Sequence, residues 1–183
     1  MDPKNLHILK CPNCGNKNLR NEVYKYDEKG LIVQGRVICT VCNDWFKINN
    51  YILDFLPLNL RDQENYISFA QHHKIDLNVI NSNQTERYKT QKIQMDFFKK
   101  DFNIYDRDVS NMKFYQILDC IYFQDWMKKL SPRQFVLDIA GGTGRQAIPL
   151  AQDGRGHKVI SIDISEEMLH SALKKAKESK LLG

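Results

Sequence analysis

The sequence predicts an α/β protein in which a small antiparallel β module comes first and part of a parallel sheet comes last. Four cysteines form two CxxC pairs before residue 43. Strand-like runs rich in Val, Ile and Phe lie between and after these pairs. Towards the end of the chain, two apolar runs alternate with two helical patterns. An order of strand, helix, strand, helix is typical of a parallel sheet.

Composition and charge describe an ordinary globular chain of 183 residues, which is enough for one or two domains. The net charge of +5 is spread along the chain, so weak RNA binding is permitted but not favoured. Because the chain lacks both a run of about 18 apolar residues and a signal peptide, we predict no membrane segment and a cytoplasmic location. Cysteines stay reduced in the cytoplasm.

The two CxxC pairs have the spacing of ligands for one tetrahedral metal site. They are Cys11 and Cys14 in CPNCG, and Cys39 and Cys42 in CTVCN. Each CxxC turn directs two thiolates towards one point, and two turns complete a four-sulfur zinc site. Four thiolates leave no open coordination position, so this zinc is predicted to be structural. The alternatives are two disulfides, which a reducing compartment disfavours, and a thioredoxin-like redox pair.

The residues around the cysteines predict a small antiparallel sheet. Gly15 and Asn43 follow the two pairs, and both tolerate the positive φ that such turns commonly need. Three strands are predicted in EVYKY, LIVQGRVIC and WFKINNYILDFL, with a turn at DEKG between the first two.

The run LKCPNCG, continued by GRVICTVCNDWFKINNYILDFLP, resembles the small zinc-ribbon family that activates tRNA, rRNA and protein methyltransferases. The resemblance covers about residues 6–58 and rests on the cysteine pairs, Trp45, Phe46, Ile48 and the ending FLP. It implies a zinc-ribbon domain over residues 1–58.

Residues 59–111 are predicted to form a polar, helical connector. YISFAQHH is a candidate helix, and we expect surface or cap roles for its two histidines. Ile93, Phe97 and Phe98 stand at helical spacing. Ser110 is a candidate N-cap for a longer helix, on which Cys120 is predicted to be a buried thiol. The apolar face of that helix is predicted to contain Phe114, Ile117, Leu118, Ile121 and Trp126.

The last segment, residues 112–183, contains a glycine turn between a strand and a helix. QFVLDIA and HKVISIDIS are predicted to be buried parallel strands, each followed by a helix. In the glycine turn (AGGTGRQ, residues 140–146), Gly142 and Gly144 allow a tight bend and a close approach to a ligand. Asp163 ends the second strand, where its carboxylate can accept from two ribose hydroxyls. The segment therefore predicts a site for a nucleoside-containing ligand.

Asp138, directly before the glycine turn, discriminates between two such ligands. GTGRQA also fits the GxGxxA form of a dinucleotide fingerprint, so a dehydrogenase remains an alternative, as does a turn with only a structural role. A carboxylate would repel a pyrophosphate at this position. S-adenosylmethionine carries an ammonium and a sulfonium cation, which a carboxylate would attract. The residues therefore favour S-adenosylmethionine.

The run from Asp138 to Gly144 resembles motif I of class I S-adenosylmethionine-dependent methyltransferases, and HKVISIDISEEML resembles their next motif. Ala140 replaces the first glycine of that motif, but LDxAGGTG is also found in the quinone-biosynthesis C-methyltransferases. The resemblance covers about residues 112–179 and implies a Rossmann-like sheet.

The same resemblance implies a set of cofactor contacts. Asp138 would lie near the methionine amino group, Asp163 would bind the ribose, and Ile164 would lie under the adenine. Backbone contacts would come from the turn, at Ala140, Gly141, Gly142 and Gly144. Tyr66 or Tyr115 is a candidate to close over the cofactor, and no catalytic residue is predicted.

The family's sheet normally has seven strands, whereas this chain offers two from Phe135 onward. We therefore expect the N-terminal part of a longer methyltransferase, with little activity alone and an exposed sheet edge that favours self-association. The predicted function is a methyltransferase with a structural zinc ribbon, whose methyl acceptor is RNA, protein or a small molecule. The alternative is a non-catalytic, zinc-dependent binding or assembly module.

Overall fold

The computed structural model describes residues 1–57, 60–76, 93, 96–97, 104–109 and 111–182. It contains two compact units, Met1–Lys92 and Ile93–Leu182. The predicted α/β class is confirmed, because an antiparallel sheet lies in the first unit and a parallel strand pair with helices lies in the second. The division into residues 1–58, 59–111 and 112–183 stays a prediction. None of the described helices is long and apolar enough to cross a membrane.

The first unit is built on a four-stranded antiparallel sheet, which we call the ribbon together with its two cysteine turns. After a 3-10 helix at Pro3–Ile8, the strands run in the order β1-β2-β3-β4. Their bounds are Leu19–Tyr26 for β1, Ile32–Cys39 for β2, Trp45–Asn49 for β3 and Ile52–Leu53 for β4.

The prediction of one strand across WFKINNYILDFL is wrong, because this run forms two strands. Asn50 and Tyr51 have φ of 47° and 70°, and this left-handed pair reverses the chain between β3 and β4. Two consecutive positive φ values are typical of the tight turns that join hairpin strands. The core of the first unit consists of six buried residues, namely Cys11, Ile32, Val37, Cys39, Phe46 and Ile48.

Helix α1, Gln63–His72, packs on the ribbon. It begins at Asp62, whose side chain accepts from the Asn65 N–H. Its buried residues Tyr66 and Ala70 contact Ile38 and Trp45. The Tyr66 hydroxyl donates to the Asp54 carbonyl at 3.2 Å. Tyr66 is therefore a core residue of the first unit, and the prediction that it covers a cofactor is wrong.

A buried ion pair joins the second cysteine turn to the chain that follows β4. Asp44 and Arg61 are both almost fully buried, and two hydrogen bonds of 2.8 and 2.6 Å join their side chains. Arg61 also donates to the Leu56 carbonyl at 2.8 Å and lies over the Phe46 and Tyr66 rings. A charge pair with this many partners offsets the cost of its own burial, and removing one partner would leave an uncompensated charge.

In the second unit, helical segments come before, between and after two parallel strands along the chain. Residues 104–109 are helical. They are followed by α2 at Lys113–Leu118, a π-helical turn at Asp119–Phe123 and α3 at Gln124–Lys129. Strand β5 is Phe135–Ile139, α4 is Ala147–Gln152, β6 is Lys158–Ile162 and α5 is Glu166–Glu178.

The predicted long helix after residue 110 is present but contains the π-helical turn. The helix is lined with exposed apolar side chains, since Phe114, Ile117, Ile121 and Trp126 are 67%, 53%, 58% and 44% exposed. The predicted N-cap Ser110, the side chain of Cys120 and Phe98 lie outside the described residues.

Strands β5 and β6 are parallel and pair in register from Phe135 with Lys158 to Ile139 with Ile162. The prediction that both strands are buried is wrong for alternate residues, because Phe135, Leu137 and Ile139 are 49%, 54% and 71% exposed. Val136 and Asp138 point to the other face and are half-buried. Because side chains alternate along a strand, one face of the pair is covered and the other is open within the described residues.

Candidate metal centre and candidate cofactor site

The four predicted cysteine ligands lie together at one end of the ribbon. The Sγ atoms of Cys11 and Cys42 are 3.6 Å apart, as are those of Cys14 and Cys39. All four Sγ atoms lie within 4.8 Å of one another. A disulfide has an S–S length of about 2.05 Å, so these are free thiols. Zn–S bonds of about 2.3 Å in a tetrahedron place sulfurs about 3.8 Å apart, so the cluster fits a tetrahedral metal ion.

The backbone of both cysteine turns explains why the sulfurs converge. The Gly15 N–H donates to the Cys11 carbonyl at 2.8 Å, and the Asn43 N–H donates to the Cys39 carbonyl at 2.9 Å. Gly15 and Asn43 have φ of 72° and 59°, so the expected left-handed residues are confirmed. Each turn closes on its own first cysteine and leaves the two thiols on one side.

The thiols differ in acidity because burial, backbone N–H groups and neighbouring thiols affect each of them to a different extent. Burial opposes ionisation of Cys39, but N–H groups of Cys42 and Val41 outweigh it and lower the pKa of this thiol to about 7. Burial and the neighbouring thiols raise the pKa of Cys42 to about 12. Thiolates this close together repel one another, and a divalent metal ion bound by them would compensate their charge.

No other metal cluster is found within the part of the chain that the structure describes. His73 follows α1 as its C-cap and stacks on the Tyr24 ring, with 4.1 Å between the ring centroids. His72 is exposed beside it. The predicted surface and cap roles of these two histidines are confirmed.

The glycine turn follows β5 and places three residues in the left-handed region. Ala140, Gly142 and Gly144 have φ of 57°, 53° and 80°. Ala140 adopts this conformation at a steric cost of about 1–2 kcal/mol, which glycine would not have. The Gly141 N–H donates to the Ile162 carbonyl at 3.0 Å and so attaches the turn to the end of β6.

Gly141 is the position in the turn with least room for a side chain. A Cβ atom there would lie 2.0 Å from the Ser161 Oγ and 2.5 Å from the Asp138 Oδ2. A Cβ on Gly144 would lie 3.1 Å from the Ala172 Cβ on α5, whereas one on Gly142 would meet open space. The sequence pattern emphasises Gly142 and Gly144, and nothing in it singles out Gly141.

Asp163 connects the glycine turn to helix α5. Its Oδ2 accepts from the Gly142 N–H at 2.8 Å, and its Oδ1 accepts from the Ser165 N–H at 2.9 Å. Ser165 caps α5 through the Met168 N–H. An ionised carboxylate has about four acceptor positions, so these two bonds leave capacity for two ligand hydroxyls.

Asp138 lies beside the same turn in an environment that disfavours its charge. Burial raises the pKa of this carboxyl, and the nearby Asp163 carboxylate raises it further. The Ser161 hydroxyl donates to Asp138 at 3.5 Å and opposes the shift only in part. Among the described residues, no basic side chain contributes to the pKa shift of Asp138. The site thus has two neighbouring carboxylates and attracts a cation.

Contacts join Asp138, Gly141, Gly142 and Asp163 into one site, and Ala140 and Gly144 complete its turn. Ile164 follows Asp163 in the chain and is half-buried. The assignment of all seven predicted residues to a cofactor stays a prediction.

Contacts among Thr143, Asp106 and Lys175 hold the glycine turn in place, and the sequence did not predict them. Thr143 is 1% exposed, and its hydroxyl donates to Asp106. Lys175 on α5 pairs with Asp106 and donates to the Thr143 carbonyl at 2.9 Å. At the end of the turn, Arg145 pairs with Asp119 at 2.5 Å and lies over the Tyr115 ring. Tyr115 therefore contacts the turn through Arg145, although its predicted role over a cofactor stays untested.

In a comparison with known families, residues 136–182 match a family described as a methyltransferase domain. The matched range begins within β5 and includes the glycine turn, β6 and α5. The match supports a methyltransferase domain in this part of the chain. No curated protein matches the chain.

Two substitutions in the glycine turn are expected to affect stability differently. Gly141→Ala should destabilise the second unit by about 2 kcal/mol, since the new methyl group collides with Ser161 and Asp138. Ala140→Gly should leave the unit as stable or raise stability by up to about 1 kcal/mol, because it relieves the left-handed strain. Hydrogen-exchange mass spectrometry of peptides from β5 and β6 measures both effects.

Gly142→Ala separates the collision from the conformational cost of an added methyl group, since its Cβ meets open space and only the left-handed strain of about 1–2 kcal/mol remains. Exchange in β5 and β6 that stays as slow in the Gly141→Ala variant as in the native protein would contradict the close contact at Gly141.

Proposed function

We propose that the second unit is an S-adenosylmethionine-dependent methyltransferase module and that the ribbon of the first unit is a structural zinc site. The observation that carries the cofactor assignment is the pair of carboxylates at the ends of β5 and β6. The raised pKa of Asp138 means that a cationic ligand would stabilise this site, whereas an anionic one would destabilise it.

The hydrogen bonds of the glycine turn give a second argument for a cation. A pyrophosphate needs free N–H donors at such a turn. The N–H groups of Gly141, Gly142 and Gly144 already donate to protein acceptors, namely the Ile162 carbonyl, Asp163 and the Gly141 carbonyl. A turn whose donors are engaged in this way suits the cationic methionine part of S-adenosylmethionine better than a dinucleotide phosphate.

The proposed contacts follow from these positions. Asp138 accepts from the methionine ammonium, and the free acceptor positions of Asp163 take the two ribose hydroxyls. The backbone of Ala140, Gly141, Gly142 and Gly144 lies along the cofactor without side chains in the way. Ile164 supplies an apolar surface for the adenine.

When bound, the cofactor supplies an electrophilic methyl group on a sulfonium centre. The chain's own contribution is to hold and orient it, because Asp163 fixes the turn and Thr143, Asp106 and Lys175 brace it from behind. Fixed orientation is a major source of rate enhancement in a transfer between two bound groups.

The proposed zinc ion is structural. Four cysteine sulfurs fill a tetrahedral coordination sphere, so no position remains for a substrate or a reactive water. The second cysteine turn is held to the rest of the unit by the Asp44–Arg61 pair, and Cys11 and Cys39 belong to the ribbon core. Metal binding would therefore contribute to folding of the first unit.

Metal analysis of the purified protein is expected to find one zinc ion per chain. Cys39→Ser should lose this zinc, because one of four ligands is removed, whereas Cys120→Ser should keep it. A chelator should also make the amides of β2 and β3 exchange rapidly with solvent. A metal content far below one per chain, or a ribbon that stays protected in chelator, would contradict the zinc assignment.

Calorimetric titration is expected to detect S-adenosylmethionine binding and no binding of NAD⁺. Asp138→Asn should weaken S-adenosylmethionine binding about tenfold or more, because a charge-assisted hydrogen bond contributes about 1.5–3 kcal/mol. Asp163→Ala should abolish it, since both the ribose contact and the anchor of the turn are lost. Asp125→Asn is the control, as this exposed aspartate pairs with Lys129 on helix α3.

Equal affinity of the Asp138→Asn and Asp125→Asn variants would remove Asp138 from the site. Tight binding of NAD⁺ with none of S-adenosylmethionine would favour a dehydrogenase, and binding of neither would favour a non-catalytic module.

A further inference from the structure

A pocket of about 500 Å³ lies in the second unit between two helical segments. One side is formed by the π-helical turn and α3, and the other by the end of the glycine turn and α4. The volume falls within the range of small-molecule sites, about 300–1,000 Å³. None of the residues assigned to zinc or to S-adenosylmethionine lines it.

The wall of the pocket is largely apolar. Phe123 and Met127 contribute from the π-turn and α3, and Pro149 contributes from α4. A wall with an aromatic ring, a thioether and a proline ring suits a compact apolar or aromatic body.

The charged residues of the wall have a basic excess. Lys128, Arg145 and Arg155 line the pocket together with two acids, Asp119 and Asp153. Arg155 and Asp153 stabilise the fold and are not available to a ligand. Their side chains pair at 2.7 Å, and Arg155 also donates at 2.9 Å to the carbonyl of Leu130, which follows α3. This pair closes one part of the wall and leaves Lys128 and Arg145 as the bases available to a ligand. Of these two, Arg145 is held in place by Asp119 and the Tyr115 ring, which makes it the main candidate for ligand binding.

Two nitrogen atoms of the Arg145 guanidinium group are available to donate hydrogen bonds to a ligand. Its Nη1 donates to Asp119 at 2.5 Å, while Nε and Nη2 make no hydrogen bond with the described residues. The Arg145 side chain is 29% exposed, and its Cζ lies 5.2 Å from the centroid of the Tyr115 ring. A guanidinium fixed in this way presents a planar fork that matches a carboxylate.

The π-helical turn brings the two parts of the wall together. It spans Asp119–Phe123, so its first residue holds Arg145 and its last residue forms the apolar wall. Single π-turns within α-helices are frequent at functional sites, where they redirect side chains.

We propose that this pocket binds a small organic carboxylate with an aromatic body. Its carboxylate accepts from the free donors of Arg145, and its ring packs against Phe123, Met127 and Pro149. Asp119 competes with the ligand for Arg145 and weakens binding. Arg145 lies at the end of the glycine turn, two residues before α4 begins, so a ligand in the pocket would lie next to that turn. The proposal is independent of the cofactor assignment.

The test is a calorimetric titration of the whole protein with 2-naphthoate, in the absence of S-adenosylmethionine. The neutral analogue 2-naphthalenemethanol controls for binding to exposed apolar surface. We expect 2-naphthoate to bind at least tenfold more tightly than the alcohol. Arg145→Met should abolish this difference, and Lys129→Met, which removes an exposed lysine outside the pocket, should leave it unchanged.

Asp119→Asn distinguishes a ligand site from a general loss of structure. This substitution keeps the side-chain shape but removes the competing charge, so 2-naphthoate affinity should rise several-fold. A fall in affinity, no binding of 2-naphthoate to the native protein, or equal binding of acid and alcohol would overturn the proposal. A protein that binds 2-naphthoate but not S-adenosylmethionine would reject only the cofactor assignment.

Discussion

The structure of the second unit depends on the carboxylate of Asp163. One oxygen accepts from Gly142 and the other from Ser165, so a single side chain fixes the glycine turn to the start of α5. The hydrogen bond to Asp163 occupies the Gly142 N–H group, which an anionic ligand would need. The Asp163 carboxylate is also a second negative charge beside Asp138. The position of the turn and its preference for a cation therefore both depend on this carboxylate, which also adds to the pKa increase that burial causes at Asp138.

Both candidate sites use left-handed residues to direct functional groups to one point. In the ribbon, Gly15 and Asn43 close the two cysteine turns, and the four thiols meet. In the second unit, the parallel pairing of β5 with β6 makes Asp138 and Asp163 neighbours, and the left-handed Ala140 and Gly142 bend the turn so that the Gly142 N–H reaches Asp163. In each case the backbone brings together like groups, thiols or carboxylates, that repel when ionised, and a cation relieves that repulsion.

Local features could be predicted from the sequence, whereas features that depend on distant residues could not. The cysteine cluster, the glycine turn and the helices follow from spacing and from turn chemistry within a few residues. The brace of the turn could not be predicted, since Asp106 and Lys175 are 69 positions apart and neither belongs to a motif. Burial of Tyr66 and exposure of Leu137 also escaped prediction, because they depend on which elements pack together.

The most direct measurement is the pKa of Asp138, followed by carboxyl carbon-13 chemical shifts through a pH titration with and without saturating S-adenosylmethionine. We expect a pKa above the ordinary aspartate value in the free protein, because burial and Asp163 disfavour the charge. We expect it to fall when the cofactor's cations bind, so that affinity decreases as the pH drops through the pKa of the free protein. An Asp138 pKa that stays the same or rises on addition of S-adenosylmethionine would contradict a cation site at the glycine turn.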